Sequence, residues 1–376
     1  MPTPKETLTY AQAGVNYDVL DGFKRACQQE ARATVPLLAN HGLREPEAIR
    51  GESCYLIESE NEYFAHVEEA LGTKIMVADA MFKLTGKSYY RNVAIDDVST
   101  IVNDLCASGA LPISVAMYAA VGGDEFFSRS ECAADLARGF AEGCRLSGAV
   151  WSGGETQTLK GMITPGTCVL GGSAFGRIAP KSRRVQNKVK AGDKIIFLAS
   201  SGVQTNGLTL CRALADRLPQ GFLTPISDGR PYGEALLDPS VIYVNFIRAC
   251  QEAGLCLNYT SHMTGHGWRK LMRLDANFVY EITEARQPLP IFDFIAEHAG
   301  LGQKEMYGTF NMGVGWAAYV DPKDAAACVS LAQKSGYEAW VAGTVLEEKN
   351  EAGSPKKAVR VPSLGLDWSG DELHIR

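Results

Sequence analysis

The 376-residue chain has no apolar run approaching the ~20 residues that cross a bilayer, and its start, Met-Pro-Thr-Pro-Lys-Glu-Thr, lacks the charged-then-apolar pattern of a signal peptide. No membrane partner is expected, and a cytoplasmic location is. There is no Cys-x-x-Cys pair. The ten cysteines stand singly, mostly among apolar neighbours, which reads as reduced small hydrophobes rather than disulfides or a zinc site. Positive charge is not in excess either, and a net charge of −6 with a pI near 5.6 argues against nucleic acid as the main partner. Also missing are Gly-x-x-x-x-Gly-Lys-Ser/Thr, Gly-x-Gly-x-x-Gly and Gly-x-Ser-x-Gly. Their absence removes a P-loop, a Rossmann nucleotide site and an acyl-transfer elbow. An anionic small ligand would then need local positive charge or a metal.

What is present suits two α/β domains, the natural division for this length. The basic polar stretch 178–192 lies between two apolar strands, Thr167 to Phe175 and Lys194 to Ala199, and reads as a solvated linker. It predicts domains at residues 1–178 and 179–376. Before it, Ser128-Arg-Ser-Glu131 has the form of a capping box, followed by apolar positions 133, 136, 137, 140 and 144 at helical spacing and a stop near Gly148. That helix should lead through a short strand, Ala149-Val-Trp151, into a loop, Ser152-Gly-Gly-Glu-Thr156, exposing one carboxylate. After the linker, the strand 194–199 runs into the loop Ser200-Ser-Gly-Val-Gln-Thr-Asn-Gly207 and a helix from Leu208 to Leu218. Strand, glycine- and hydroxyl-rich loop, then helix is an arrangement in which free N–H groups can bind a phosphate. A third loop, Ser261-His-Met-Thr-Gly-His-Gly267, precedes a helix with Arg269, Lys270 and Arg273. His262 and His266 are spaced as on one helix face, but the glycines at 265 and 267 make a loop, not a metal site.

The carboxylates carry sharper chemistry. Asp96 and Asp97 follow a short apolar segment, and Asp104 lies eight residues beyond Asp96 in a stretch that reads as helix. Acids in apolar surroundings are costly unless paired or bound to a cation, and magnesium suits them because it takes oxygen ligands and is shared with phosphates. Lys74, behind Gly72 and Thr73, would be the matching positive charge. Near the C-terminal end, Asn311 stands between Phe310 and Met312, with glycines at 313 and 315, before the apolar run Trp316 to Val320. Its amide can face a polar ligand or make an Asn turn into the strand.

Taken in order, Tyr10-Ala-Gln-Ala-Gly-Val15, Gly72-Thr-Lys74, Ala94-Ile-Asp96, Val102-Asn-Asp104, Ala141-Glu-Gly-Cys144, Gly153-Gly-Glu-Thr156, Ser200-Ser-Gly202, Asn206-Gly207, His262-Met-Thr-Gly265 and Glu305 to Gly315 resemble the aminoimidazole ribonucleotide synthetase (phosphoribosylformylglycinamidine cyclo-ligase) family. The resemblance implies an α/β fold of the α+β type. Its N-terminal mixed sheet pairs across a homodimer, and its C-terminal domain is an α/β sandwich. It implies ATP-dependent ring closure of formylglycinamidine ribonucleotide, a small-molecule substrate, with ATP and Mg²⁺ as cofactors. By position, Asp96, Asp104, Glu155 and Glu69 would hold the metal. Lys74, Thr73, Gly72, Asn103, Gly153 and Gly154 would meet ATP and its phosphates. Ser200, Ser201, Gly202, Gly207, Thr264 and Gly265 would hold the substrate, and Asn311, Thr309 and Asn206 would face the reacting groups.

The chain departs from the family pattern in places. Glu69-Ala-Leu-Gly-Thr-Lys74 stands for Asp-Gly-Val-Gly-Thr-Lys, and Gln204-Thr-Asn-Gly207 for His-Ser-Asn-Gly, which removes an imidazole. His266 interrupts a Gly-Gly-Gly, Gly308 stands where an arginine is usual, and the glycine-rich, lysine-bearing loop over ATP has no clear counterpart between Ala31 and Ser59. Selenophosphate synthesis is disfavoured for want of an early reactive cysteine, and Leu373-His-Ile-Arg376 lacks the terminal cysteine of the hydrogenase maturation protein. Two alternatives stay open: a related ATP-dependent enzyme phosphorylating another small substrate, or a non-catalytic nucleotide-binding paralogue.

Overall fold

The computed structural model describes residues 17–373 apart from Ala48 and Gln186, with side chains from residue 22 onward. The segment Tyr10–Val15 and the final His374-Ile-Arg376 lie outside the described residues. The first domain is built on β1 (Tyr55–Glu58), β2 (Tyr63–Ala70), β3 (Leu111–Val121), β4 (Val150–Thr158) and β5 (Cys168–Ile178), in the order β1-β2-β5-β3-β4. All neighbours are antiparallel except β3 and β4. A parallel pair needs a crossover, and the chain between them supplies α4 (Glu125–Ser128) and α5 (Ser130–Ser147). Earlier come α1 (Tyr17–Thr34), α2 (Lys74–Thr85) and α3 (Tyr90–Cys106).

The sheet is two-faced. Along β2, Ala65 and Val67 are buried against the helices while His66 and Glu68 point out, the alternation of a half-buried strand. The outer face is not polar throughout. Phe64 stacks on Phe175 at 5.9 Å, and Ile113, Val169 and Phe175 are each more than two-fifths exposed.

The second domain holds seven strands: β6 (Lys194–Ala199), β7 (Tyr259–His262), β8 (Val279–Ile282), β9 (Val314–Val320), β10 (Ala339–Leu346), β11 (Ala358–Val361) and β12 (Leu366–Ser369). Their order is β12-β11-β8-β10-β6-β9-β7, with only β8 and β11 parallel. Helices α6 (Leu208–Ala215), α7 (Tyr232–Leu236), α8 (Val244–Glu252), α9 (Pro290–Ala299), α10 (Gln303–Thr309) and α11 (Ala325–Lys334) complete it. The run Trp316 to Val320 is the buried centre of β9, as its apolar pattern suggests.

Three local expectations change. Ser152 to Thr156 is not a loop but the middle of β4. Glycine suits that place because a Cβ on Gly154 would lie 1.9 Å from the Met117 carbonyl oxygen. The capping box at Ser128 to Glu131 does not form, since the chain makes the short α4 first and α5 starts after Arg129 with no side-chain cap. The helix after Gly267 is a 3₁₀ turn, Gly267–Met272, entered through His266 at φ 63°.

The domains meet around α3. Fifteen of its 17 residues are buried, so it has no solvent side on which to place polar groups. Yet Asp96, Asp97, Asn103 and Asp104 are all inside. Each needs a partner or a reason.

Candidate functional site

The partners come largely from one strap of the second domain, residues 237–243. Asn92 donates to the Leu237 carbonyl at 2.9 Å, Ser99 and Asn103 to that of Val241 at 3.0 and 2.8 Å, and the Tyr243 amide donates back to Asn103 at 2.9 Å. Asn103 is thereby fully occupied in joining the domains, which corrects its expected place on ATP.

Lys74 and Asp96 follow the same logic. After Gly72, at φ 72°, α2 begins with Lys74, whose ammonium lies 2.7 Å from Asp96 with both side chains wholly buried. Lys74 also donates to the Asp238 carbonyl at 2.9 Å, and the other Asp96 oxygen accepts from the amide and hydroxyl of Ser240. Burial pushes the Asp96 carboxyl up, with Lys74 and Ser240 pulling it down. The two charges are spent on each other and on the strap. Lys74 is therefore not a free phosphate ligand, nor Asp96 a free metal ligand.

Beside this pin runs a file of acids. Asp104 lies 2.7 Å from His262 Nδ1, whose Nε2 faces the Asn103 amide at 3.4 Å. Asp104, ionised and able only to accept, requires the proton on Nδ1, so the imidazole donates to it from that nitrogen. Burial, with the charges of Lys270 and Arg273, holds His262 below its ordinary value despite Asp104. Burial raises Asp104, but the His262 hydrogen bond and the two cations outweigh it and bring it low. Glu69, half-buried, is pushed up to about 7 by burial and by Asp104. Lys270, down to about 8 through burial, is bonded to the Thr264 hydroxyl.

Glu155 does not join this file. Across the sheet, Glu155 pairs with Tyr118 and Tyr118 with Gly171, which share the outward parity of Phe175. Glu69 shares the inward parity of Ala65 and Val67. The two acids lie on opposite faces, so the expected metal set of Asp96, Asp104, Glu155 and Glu69 reduces to Glu69 and Asp104 within one chain. Gly153 also faces outward, and Gly154 is packed on β3, so neither lines the cleft of its own chain.

The loops of the second domain close the other wall. Asn311 donates to the carbonyls of Gly202 at 2.9 Å and Val203 at 3.3 Å, and accepts from Ser200 and the Gly313 amide at 2.9 Å each. Both readings made of it from sequence are half met: it is an Asn turn, and its amide is satisfied, but by protein. No donor is left for a substrate, which corrects its catalytic assignment; it holds the Ser200–Val203 loop. Ser200 is spent on Asn311, and Ser201 donates to the Pro239 carbonyl at 2.6 Å. A Cβ added to Gly202 would meet the Ala235 carbonyl oxygen and the Asp238 Cβ at 3.8 Å, so the glycine lies beside the strap. Gln204, where an imidazole was noted as lost, is buried with its amide 3.4 Å from Tyr243, so that position packs the loop rather than facing the cleft.

What remains open is a narrower set. Thr73 meets Thr209 of α6 at 3.4 Å, a Cβ added to Gly265 would lie 3.7 Å from Asn206 Oδ1, and Thr264 and Thr309 are half-buried. Gly207 enters α6 at φ 83°, and a Cβ there would lie 2.1 Å from the Phe310 ring. Gly72, Thr73, Asn206, Gly207, Thr264, Gly265 and Thr309 thus surround the start of α6, with Glu69 below. Over Gly308, where an arginine was expected, sits the guanidinium of Arg269, donating to the Gly308 carbonyl at 2.8 Å. Sequence reasoning missed the strap; Asp238-Pro239-Ser240 is a turn signal, but nothing in it announces Ser240 as the partner of Asp96.

Two mixed-sheet domains closed on a polar-cored helix, with a loop-built cleft at the join, define a recognisable class of α/β fold. AaThiL complexed with AMPPCP and TMP shares it at a TM-score of 0.59 and 14% identity, over 94% of this chain and 96% of that one. T. maritima PurL complexed with ATP does so at 0.54 and 15%, over 88% of this chain and 47% of that one. Residues 51–178 match the N-terminal domain of AIR synthase related protein, and residues 190–354 match its C-terminal domain. The phosphoribosylformylglycinamidine cyclo-ligase of Anaeromyxobacter sp. (strain Fw109-5) is 33% identical over 365 residues, 92% of this chain and 98% of that protein. The chain belongs to the AIR synthase family.

Proposed function

We propose that the protein closes the imidazole ring of formylglycinamidine ribonucleotide at the expense of ATP, giving aminoimidazole ribonucleotide, ADP and phosphate in purine synthesis. The full-length likeness to curated cyclo-ligases carries the reading. The cleft supports it, because ring closure asks a protein chiefly to position two anionic ligands and neutralise charge. The amide oxygen takes the γ-phosphoryl group, the amidine nitrogen attacks the same carbon, and the oxygen leaves with phosphate.

Within that scheme the start of α6, with Thr73, Asn206 and Gly207, offers N–H and hydroxyl donors to a phosphate. Thr264, held by Lys270, and Thr309 line the substrate side. Glu69 is half-buried rather than enclosed, and the Asp104 carboxylate acts on it strongly enough to help push it up, so the two acids could share a cation. The residues therefore fit magnesium, which when bound would neutralise phosphate charge. Lys270 and Arg273 add fixed positive charge beside Asp104.

A homodimer formed through the outer sheet face also belongs to this reading. Its support is the surface of exposed Ile113, Val169 and Phe175, with half-buried Phe64 stacked on Phe175, since contiguous apolar patches mark interaction sites. All ten cysteines are free, which fits a reducing cytoplasm. Purified protein with Mg²⁺, ATP and formylglycinamidine ribonucleotide should release one phosphate per imidazole formed. ATP binding without stimulation by that substrate would favour a relative acting on another small molecule.

A further inference from the structure

We infer that Lys270 is a positioning residue for phosphate recognition: it fixes the Thr264 hydroxyl as a hydrogen-bond donor toward a phosphate oxygen of the bound ligand. The inference rests on the ribonucleotide and ATP reading above and names the hydroxyl that selects the phosphorylated form. Lys270 is 6% exposed, and its ammonium donates to the Thr264 hydroxyl. That is its one hydrogen bond among the described residues, and it forms no ion pair there; Asp104 and Glu69 act on it without bonding to it, and Arg273 opposes them. A buried cation left unpaired is costly, so an ammonium in this state calls for negative charge from a ligand.

The backbone brings the two side chains together. β7 is buried through His262, Met263 is buried as well, and the chain is half-buried only at 264–266 before it turns inward again. The Thr264 amide donates to the His262 carbonyl at 2.9 Å, and Gly265, His266 and Gly267 then take φ values of 30°, 63° and 54°. Three successive residues of that hand curl the chain into the 3₁₀ turn, which returns Lys270 to Thr264. The turn is held at both ends. The Ser261 hydroxyl donates to the Lys270 carbonyl at 3.4 Å, and a Cβ on Gly267 would lie 2.1 Å from the Tyr307 carbonyl oxygen. With Gly265 beside Asn206, the half-buried Thr264 loop adjoins the start of α6, where the N–H and hydroxyl donors gather.

The polarity of the pair follows from its chemistry. An ammonium has three donors and no acceptor, so Thr264 Oγ accepts from Lys270 and its own proton goes elsewhere. No acceptor among the described residues takes that proton. A hydroxyl that already accepts from a cation is a strengthened donor, and its best partner is an anionic oxygen. A phosphate oxygen meets that need, while a neutral sugar hydroxyl gains less. Lys270 thereby favours a phosphorylated ligand without touching it.

Isothermal titration calorimetry with formylglycinamidine ribonucleotide, its dephosphorylated riboside and ADP tests this on wild type, Lys270→Met, Thr264→Val and Thr264→Ser. Lys270→Met and Thr264→Val should each weaken a phosphorylated ligand by about tenfold or more, with riboside binding as in wild type and Thr264→Ser retaining wild-type affinity. Loss for the ribonucleotide assigns the contact to the substrate phosphate, and loss for ADP assigns it to the nucleotide. Thr264→Val leaves Lys270 in place, so it decides the matter if Lys270→Met folds poorly. Unchanged binding of both phosphorylated ligands, or an equal loss for riboside and ribonucleotide, would overturn the inference and leave the cyclo-ligase reading standing. Wild-type protein that binds neither ribonucleotide nor ADP would overturn both.

Discussion

Replacing Lys74 by methionine separates two accounts of that residue. Methionine keeps most of the apolar stem and removes the ammonium, so Asp96 retains Ser240 but loses the cation 2.7 Å from its second oxygen. Breaking one side of a fully buried pair costs about 3–5 kcal/mol, because the remaining charge stays desolvated, whereas replacing both sides is often close to neutral. Lys74→Met and Asp96→Asn should each lose about that much, and the double variant should recover most of it, giving a coupling of at least ~2 kcal/mol. Urea unfolding followed by tryptophan fluorescence reads both halves, since Trp151 reports the first domain and Trp268, Trp316, Trp340 and Trp368 the second. The reasoning is refuted if Lys74→Met costs under ~1 kcal/mol while abolishing ATP binding. Lys74 would then be a phosphate ligand after all.

Three further outcomes follow from particular contacts. Asn311→Ala strands the partners of four hydrogen bonds at the Ser200–Val203 loop and should cost about 2–4 kcal/mol, with substrate binding and turnover falling together; a pure loss of turnover at unchanged stability would return Asn311 to the chemistry. Phe175→Lys, on the exposed sheet face, should shift the protein to a monomer in sedimentation, and an unchanged sedimentation coefficient would place the interface elsewhere. Glu69 sits near 7 in the fold against an ordinary 4.5, so the folded chain keeps a proton that the unfolded chain has lost. Its contribution is full below the unfolded value and is lost as pH rises toward 7, by at most about 3 kcal/mol. Melting in EDTA should therefore show wild type losing stability between pH 5 and 8, and Glu69→Gln losing less; parallel pH profiles would argue against a raised Glu69.

Much of the scaffold is legible because it depends on local pattern. The 3.6-residue period from 133 to 144 becomes α5, and the apolar runs at 194–199 and 316–320 become buried strands. β4 was illegible because Gly153-Gly154 reads as a loop until a neighbouring strand at van der Waals distance requires the missing Cβ. The site was half legible. Residue type correctly drew attention to Lys74, Asp96, Asn103 and Asn311, since such groups are rarely buried without purpose. What type cannot show is which partner satisfies them. Lys74 and Asp96 neutralise one another, and Asn103 and Asn311 bind backbone brought in from residues 241–243 and 202–203. Those pairings are long-range products of the domain join. Glu155 failed for a related reason, because only the strand register reveals that it faces away from Glu69.

The central claim is that ATP activates the amide oxygen of the substrate so that ring closure expels it as phosphate. Formylglycinamidine ribonucleotide carrying ¹⁸O at that amide, turned over with ATP and Mg²⁺, tests it directly by mass spectrometry of the released phosphate. The account predicts one ¹⁸O atom per phosphate formed. Label released into water, with unlabelled phosphate, would contradict it.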